Sequence, residues 1–504
     1  MFRLKKEVLS LLLFMGGFWT YVLWPYAITP SVGDSLNHLA FLDLIREQNV
    51  LSLKDAIKPF AHEFGSEGAG FYPAGMHVLL AWLLKLTGGL LLGQLGLLFK
   101  TVTVFFLCLM SLAFYWGSGK IAKSLSDFDR VLISGIASTL LIFPSAPLGE
   151  GGLSRIIGQI LALILTLSFI PLSGRRGLGF VVLALLVPAL FYIHPSSFFV
   201  LVPAFILIFS ERRRDWLFLG LGLAVGLVLI AKSVSLGAED VNHIQLESKP
   251  FAESGIFLAF SRLKDIFHFL FADTHGLGKF FSPRTILAAF GLGLIAQGKS
   301  TLPKRLSFLL LVPFFLALTA LFEMPLLRAP GSVFYHQTKR ISEMALFPLF
   351  LGWTVGWSGL IARFSSNRYR LLFRSLMLIF FAVSASKAMR TVREMAELYH
   401  TPKTEAVELL KKLLTSTPPD SVIVSKDRWF GIGLGIVPKR SWVAGDYFCQ
   451  NNLQTDYCRN RSSFIDSIYA GVQGSAPSAS FGFGNSTLFV IDRVGDGFSL
   501  VRVR

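Results

Sequence analysis

AGMHVLLAWLLKLTGGLLL, residues 74–92, is apolar over a length that could cross a membrane, and the fold turns on whether it does. Its surroundings are of the same character. The chain has 504 residues, 53% of them hydrophobic, 13% aromatic and only 16% charged, with a mean hydropathy of +0.59. A soluble domain has little use for so much apolar surface, whereas repeated spans need it. Eleven further apolar runs stand near residues 8–28, 95–116, 131–147, 156–173, 178–193, 197–210, 216–236, 285–297, 306–322, 343–361 and 371–386. The first follows Arg3, Lys5 and Lys6 and lacks a small-residue cleavage site, so it reads as an uncleaved span.

Charge decides the place of 74–92. Kept on the outer side, it leaves 18 basic residues in the inner segments: Arg3, Lys5, Lys6, Lys120, Lys123, Arg130, Arg175, Arg176, Arg212, Arg213, Arg214, Lys299, Lys304, Arg305, Arg363, Arg368, Arg370 and Arg374. The short outer loops then hold four, namely Arg155, Arg328, Lys339 and Arg340. If 74–92 crossed, all of the inner set except the first three would move outside, against the positive-inside rule. The stretch is therefore expected to lie along or dip into the outer leaflet, within a long first outer loop, 29–94. The expected fold is a polytopic α-helical membrane protein of about eleven spans. Its N-terminus is cytoplasmic, and it sits in the plasma (inner) membrane in contact with membrane lipids. The +17 net charge is spent on orientation, and with no nucleic-acid motif beside it, nucleic acid is not an expected partner.

Three outer regions follow: the loops 237–284 and 323–342, and the chain from 391 to 504. That last region changes composition. TPKTEAVELLKKLLTST (401–417) has helical spacing, and SVIVSK, WFGIGLGIV, TLFVID and FSLVRVR are short β-branched and aromatic runs between turn residues. Residues 1–390 thus read as a transmembrane module and 391–504 as an extracytoplasmic α/β domain. Cys449 and Cys458 lie in the latter, where a disulfide between them suits an oxidising compartment; two free thiols are the alternative. Their spacing matches no zinc pattern. The chain has no P-loop, dinucleotide glycine fingerprint or Gly-x-Ser-x-Gly elbow.

Just past the first span, SVGDSLNHLAFLDLIREQN (31–49) carries Asp34 and His38 on one helical face, with apolar residues at 36, 39, 41, 42, 44 and 45. The pattern predicts an amphipathic helix on the membrane surface. Asp34 can serve as its N-cap or as a chemical group. His194, in FYIHPSS, and Glu323, Arg328, Tyr335, His336, Lys339 and Arg340, in EMPLLRAPGSVFYHQTKRIS, also fall on the outer side. Cations and donors there can hold a phosphate or simply anchor the chain at the interface.

A basic N-terminus, one span, then Asp34 with His38 and FYPAGMH with Tyr72, Pro73 and His77 resembles the GT-C superfamily of polytopic glycosyltransferases, nearest to uncharacterised bacterial members. The architecture is similar over the whole chain, and the specific motifs lie within 31–90. The resemblance implies a lipid-carrier-dependent, inverting glycosyltransferase, moving a sugar from a polyprenyl-phosphate donor to a glycan, lipid or protein acceptor. It implies that Asp34 activates the acceptor, with His38 beside it, and that Glu150 and Arg155 of PSAPLGEGGLSR match a second acid and an Arg found in some members. Tyr72, His77, Arg155, His194, Tyr335, His336, Lys339 and Arg340 would then bind substrate. No acid adjoins Asp34, which departs from the metal-binding pair of some members. Two alternatives stand: a metal-free mechanism, or a divalent cation such as Mg or Mn held through Asp34 and Glu150 with Glu323. The rival functions are a transporter or lipid-handling protein without catalysis, and an inactive scaffold of the same fold. Few ionisable residues fall at mid-span, which disfavours the transporter.

Overall fold

The computed structural model describes residues 6–25, 41–42, 45–46, 49, 51, 74–86, 95–141, 153–172, 175–194, 196–210, 215–238, 260, 263–264, 283–312, 346–364, 366–398, 413, 415–418, 421–425, 441–444, 463, 465–470, 488–494 and 497–502. The helices are α1 (Lys6–Leu23), α2 (Gly75–Leu86), α3 (Leu95–Ile121), α4 (Asp127–Ile136), α5 (Leu153–Phe169), α6 (Arg176–Val181), α7 (Val187–Ile193), α8 (Ser196–Phe209), α9 (Asp215–Ala238), α10 (Pro283–Ala296), α11 (Leu346–Arg363) and α12 (Asn367–Leu398). A π-helix, Ala137–Leu141, continues α4, another, Val182–Leu186, joins α6 to α7, and Lys304–Leu311 is a 3-10 helix. Each of the eleven expected segments meets a helical element. Among the described residues, three helices are long and apolar enough to cross a membrane: Lys6–Leu23, Lys100–Ile121 and Asn367–Arg390. Two boundaries differ from the sequence reading. α1 ends at Leu23, and α12 runs on to Leu398 because its last turns, KAMRTVREMAEL, are rich in strong helix formers. The expected boundary at 390 therefore falls inside a helix.

Lipid gives helices no hydrophobic reason to associate, so close contact must come from small residues that let backbones meet. α10 and α11 meet this way. A Cβ placed on Gly352 would lie 2.3 Å from the Ala288 carbonyl oxygen, one on Gly356 2.4 Å from that of Leu287, and one on Gly291 1.8 Å from that of Gly352. Gly293, on the same helix as Gly291, has nothing within 4 Å of such a carbon. Gly352→Ala is therefore expected to destabilise the protein by ~1–3 kcal/mol through overpacking against backbone that cannot yield. Gly293→Ala should be neutral or gain up to ~1 kcal/mol of helix propensity. Melting of the two variants in detergent distinguishes these outcomes.

One end of the bundle is knitted by polar contacts between segments far apart in sequence. Thr301 donates to the Ile121 carbonyl at 3.3 Å, Ser124 and Ser358 share a 2.8 Å bond, and Arg305 Nη2 donates to the Ile208 carbonyl at 2.8 Å. At the same end Ser126 caps α4, accepting from the Asp129 N–H. The Asp129 side chain is buried and accepts from Arg374 twice, at 2.9 Å from Nε and 2.7 Å from Nη2. The Ser126 hydroxyl and, at 3.4 Å, Trp357 Nε1 complete its shell. Burial pushes this carboxyl up, but the hydrogen bonds from Arg374 and Ser126 outweigh that, holding it below the ordinary carboxylate value. These contacts tie α4, α11 and α12 together. Most of the residues in them belong to the segments that the charge count assigns to the inner side.

The chain after α12 contains a four-stranded sheet of β1 (Val422–Ser425), β2 (Ser441–Ala444), β3 (Leu488–Val494) and β4 (Gly497–Arg502), in the order β2-β1-β3-β4. β1 is parallel to β2 and β3, and β3 pairs with β4 antiparallel. Ile465, Ile468 and Tyr469, on a helical stretch, pack on Val422, Val424, Leu488 and Val490 as a separate core. The Tyr469 hydroxyl donates to the Ile491 carbonyl. SVIVSK, TLFVID and FSLVRVR supply β1, β3 and β4 as expected from their pattern. β2 was not expected: SWVA is four residues long between Lys439-Arg440 and Gly445, too short for a period to register. WFGIGLGIV lies outside the described residues, as do Cys449 and Cys458.

Candidate active site

The helix that decides the topology, α2, has 12 residues, a length of about 18 Å at the α-helical rise. Pro73 and Ala74 precede it, and the first turn closes through the Val78 N–H to the Ala74 carbonyl at 2.9 Å. Met76, His77, Leu80 and Ala81 are buried on one face, while Leu79, Trp82, Leu83 and Lys85 are exposed. The buried face docks on the last turn of α7. A Cβ on Gly75 would lie 2.7 Å from the Tyr192 carbonyl oxygen and 2.8 Å from Tyr192 Cδ1. Only glycine allows that approach.

Three further contacts bind the first loop to this place. The Tyr192 hydroxyl donates to the Leu51 carbonyl. Lys85 Nζ donates to Asn49 Oδ1 at 2.7 Å, and Asn49 adopts the left-handed conformation, φ 54°, which asparagine tolerates better than most residues. Phe41 stands edge-on to the His77 ring, centroids 5.6 Å apart and planes at 81°. Phe41, Leu42 and Ile45 are all buried. Three of the apolar positions expected on one face of this stretch thus pack inward. Nearby in sequence, Lys100 Nζ donates to the Trp24 carbonyl just past the end of α1, at 3.4 Å.

Two of the expected site residues are thereby fixed. His77 and His194 are both buried, and each stands two residues beyond a partner in the Gly75–Tyr192 contact. His194 ends α7 in extended conformation, φ −161° and ψ 128°, as its position before Pro195 requires. Imidazoles accept, donate or carry a proton near neutral pH, so two of them beside a docked loop suit polar group transfer. Arg155 lies in the first turn of α5, with its side chain outside the described set. Asp34, His38, Tyr72, Glu150, Tyr335, His336, Lys339 and Arg340 lie outside the described residues. Among the described residues no three His, Cys, Asp or Glu side chains gather as metal ligands. Sequence reasoning missed Tyr192, although it quoted FYIHP. It also missed Gly75 and Asn49, the partner of Lys85, both of which act through tertiary contact.

Comparison with known proteins gives the following. No curated protein matches the chain. Two cryo-EM structures of the arabinofuranosyltransferase AftD from Mycobacteria are similar at low level. The first has 13% identity and a TM-score of 0.48 over 96% of this chain and 36% of that one. The second has 15% identity and a TM-score of 0.44 over 95% and 35%. The chain spans about a third of the length of those structures. The profile described as a family of unknown function, DUF6541, matches residues 11–436, and the chain belongs to that family.

Proposed function

We propose that the protein is an integral membrane glycosyltransferase that moves a sugar from a polyprenyl-phosphate donor to an acceptor hydroxyl at the outer face. The observation that supports this reading is the docking of α2, through Gly75, on Tyr192 in the last turn of α7, with His77 and His194 each two residues further along. In this account Asp34 takes the proton of the acceptor hydroxyl, and the freed oxygen attacks the anomeric carbon. The bond from that carbon to the carrier phosphate breaks in the same displacement, so the anomeric configuration inverts. Arg155, Lys339 and Arg340 hold the departing phosphate, which leaves with the electron pair and so needs positive charge beside it. His38, Glu150, Tyr72, His77, His194, Tyr335 and His336 line the donor and acceptor. The membrane module crosses about eleven times, with the sheet-containing region outside.

A glycine-specific contact gives a direct test. Gly75→Leu must push α2 away from Tyr192, an overpacking effect of ~1–3 kcal/mol. Purified native protein should bind a polyprenyl-phosphate sugar, and the variant should bind it at least ~10-fold more weakly, whereas Gly352→Ala, destabilised by a similar amount, should keep native affinity. Equal donor affinity in the native and Gly75→Leu proteins would mean that the docked α2 does not form the site.

A further inference from the structure

At the knitted end of the bundle the two signs of charge are treated differently. The acids are buried or paired: Asp129 and Asp215 are buried, and Asp127, partly exposed, is bonded to the Tyr115 hydroxyl at 2.9 Å and to Arg130 at 3.5 Å. Lys120, Lys123, Lys299 and Lys304 are exposed. Among the described residues, Glu7 is the one exposed acid at this end. The field outside is therefore positive and little compensated.

The four lysines lie at or beside two connections, one after α3 and one before the 3-10 helix, that the Thr301 bond to the Ile121 carbonyl holds together. Lys304 lies across the Gly298 turn, where glycine adopts φ +72° and a Cβ would meet Lys304 Cε at 2.6 Å. Lys120 Nζ lies 5.6 Å over the Trp116 ring, and Phe308, one turn past Lys304, is 58% exposed. The cations thus border apolar surface. We propose that Lys120, Lys123, Lys299 and Lys304 form a docking patch for the headgroup of an anionic phospholipid in the inner leaflet. A phospholipid supplies both parts that the patch presents: a phosphate for mobile ammonium groups, which bind it as point charges, and acyl chains for the flanking rings. An acidic protein segment would match the charge and leave the apolar border uncovered. The inference rests on the membrane reading of the fold and is independent of sugar transfer.

The test uses the full chain in phosphatidylcholine nanodiscs with and without phosphatidylglycerol. Phosphatidylglycerol should raise the melting temperature of the native protein. The quadruple variant Lys120→Gln, Lys123→Gln, Lys299→Gln, Lys304→Gln should melt like the native protein in phosphatidylcholine, lose the increment, and bind phosphatidylglycerol on the order of 10³-fold more weakly. Arg502→Gln, in β4, should keep the increment. A quadruple variant that keeps it, or a native protein that shows none, overturns the patch. An equal increment from soluble polyglutamate overturns the lipid in favour of an acidic protein partner. Nanodiscs expose both leaflets, so this result does not depend on orientation. Labelling of Lys123→Cys from outside sealed cells would overturn the inner-leaflet assignment separately.

Discussion

Asp34→Asn is expected to give a protein that folds, binds a polyprenyl-phosphate sugar and transfers it ~10²–10⁴-fold more slowly than the native chain, the usual loss when a general base is removed. The substitution separates two roles for one side chain. Asparagine caps a helix about as well as aspartate, so the structural loss is confined to the charge–dipole part, ~0.3–1 kcal/mol. An amide cannot take the proton of an acceptor hydroxyl at neutral pH. Asp34→Ala should lose both cap and chemistry, and so melt lower as well. Transfer by Asp34→Asn at the native rate would make Asp34 a cap and remove it from the mechanism.

The second large effect is on stability. Arg374→Leu leaves the Asp129 carboxylate, 1% exposed, without its bidentate partner, and breaking a buried pair from one side costs about 3–5 kcal/mol. Asp129→Leu together with Arg374→Leu should recover most of that loss, because removing both charges leaves nothing buried and unpaired. The pair also sets a pH dependence. Because the folded-state pKa of Asp129 is depressed, its contribution is complete above the unfolded value, ~3.9, and is lost as pH falls through the folded one. Arg374→Leu should flatten that acid limb of the melting profile. A single variant as stable as the native protein would show that the cluster does not hold α4, α11 and α12 together.

What the sequence conveyed and what it hid divide along the range of the interaction. Apolar runs and the Lys/Arg asymmetry are local signals, and each marked run overlaps a helical element among the described residues. β1, β3 and β4 announce themselves by β-branched residues. The glycines of α11, Gly352 and Gly356, can be read as a small-residue motif, but nothing in their spacing names Gly291 and Ala288 as what they touch. Asp129 and Arg374 are hidden for the same reason: 245 positions separate them, and Arg374 looks like one more inner-side cation. At the candidate site, His77 and His194 were legible as candidate polar residues. The contact near them was not, because it depends on the missing side chain of Gly75 and on the hydroxyl of Tyr192. The apolar positions Phe41, Leu42 and Ile45 were legible as a face, and only packing reveals that Phe41 stands against His77.

The most direct measurement is transfer itself: purified chain in nanodiscs, a panel of polyprenyl-phosphate sugars, a panel of glycan, lipid and protein acceptors, and the product's anomeric configuration read by NMR. The account predicts transfer from at least one carrier-linked sugar, with inversion, and none from the matching nucleotide sugars. A folded protein that turns over no polyprenyl-phosphate sugar, or that takes its sugar from a nucleotide, would contradict it.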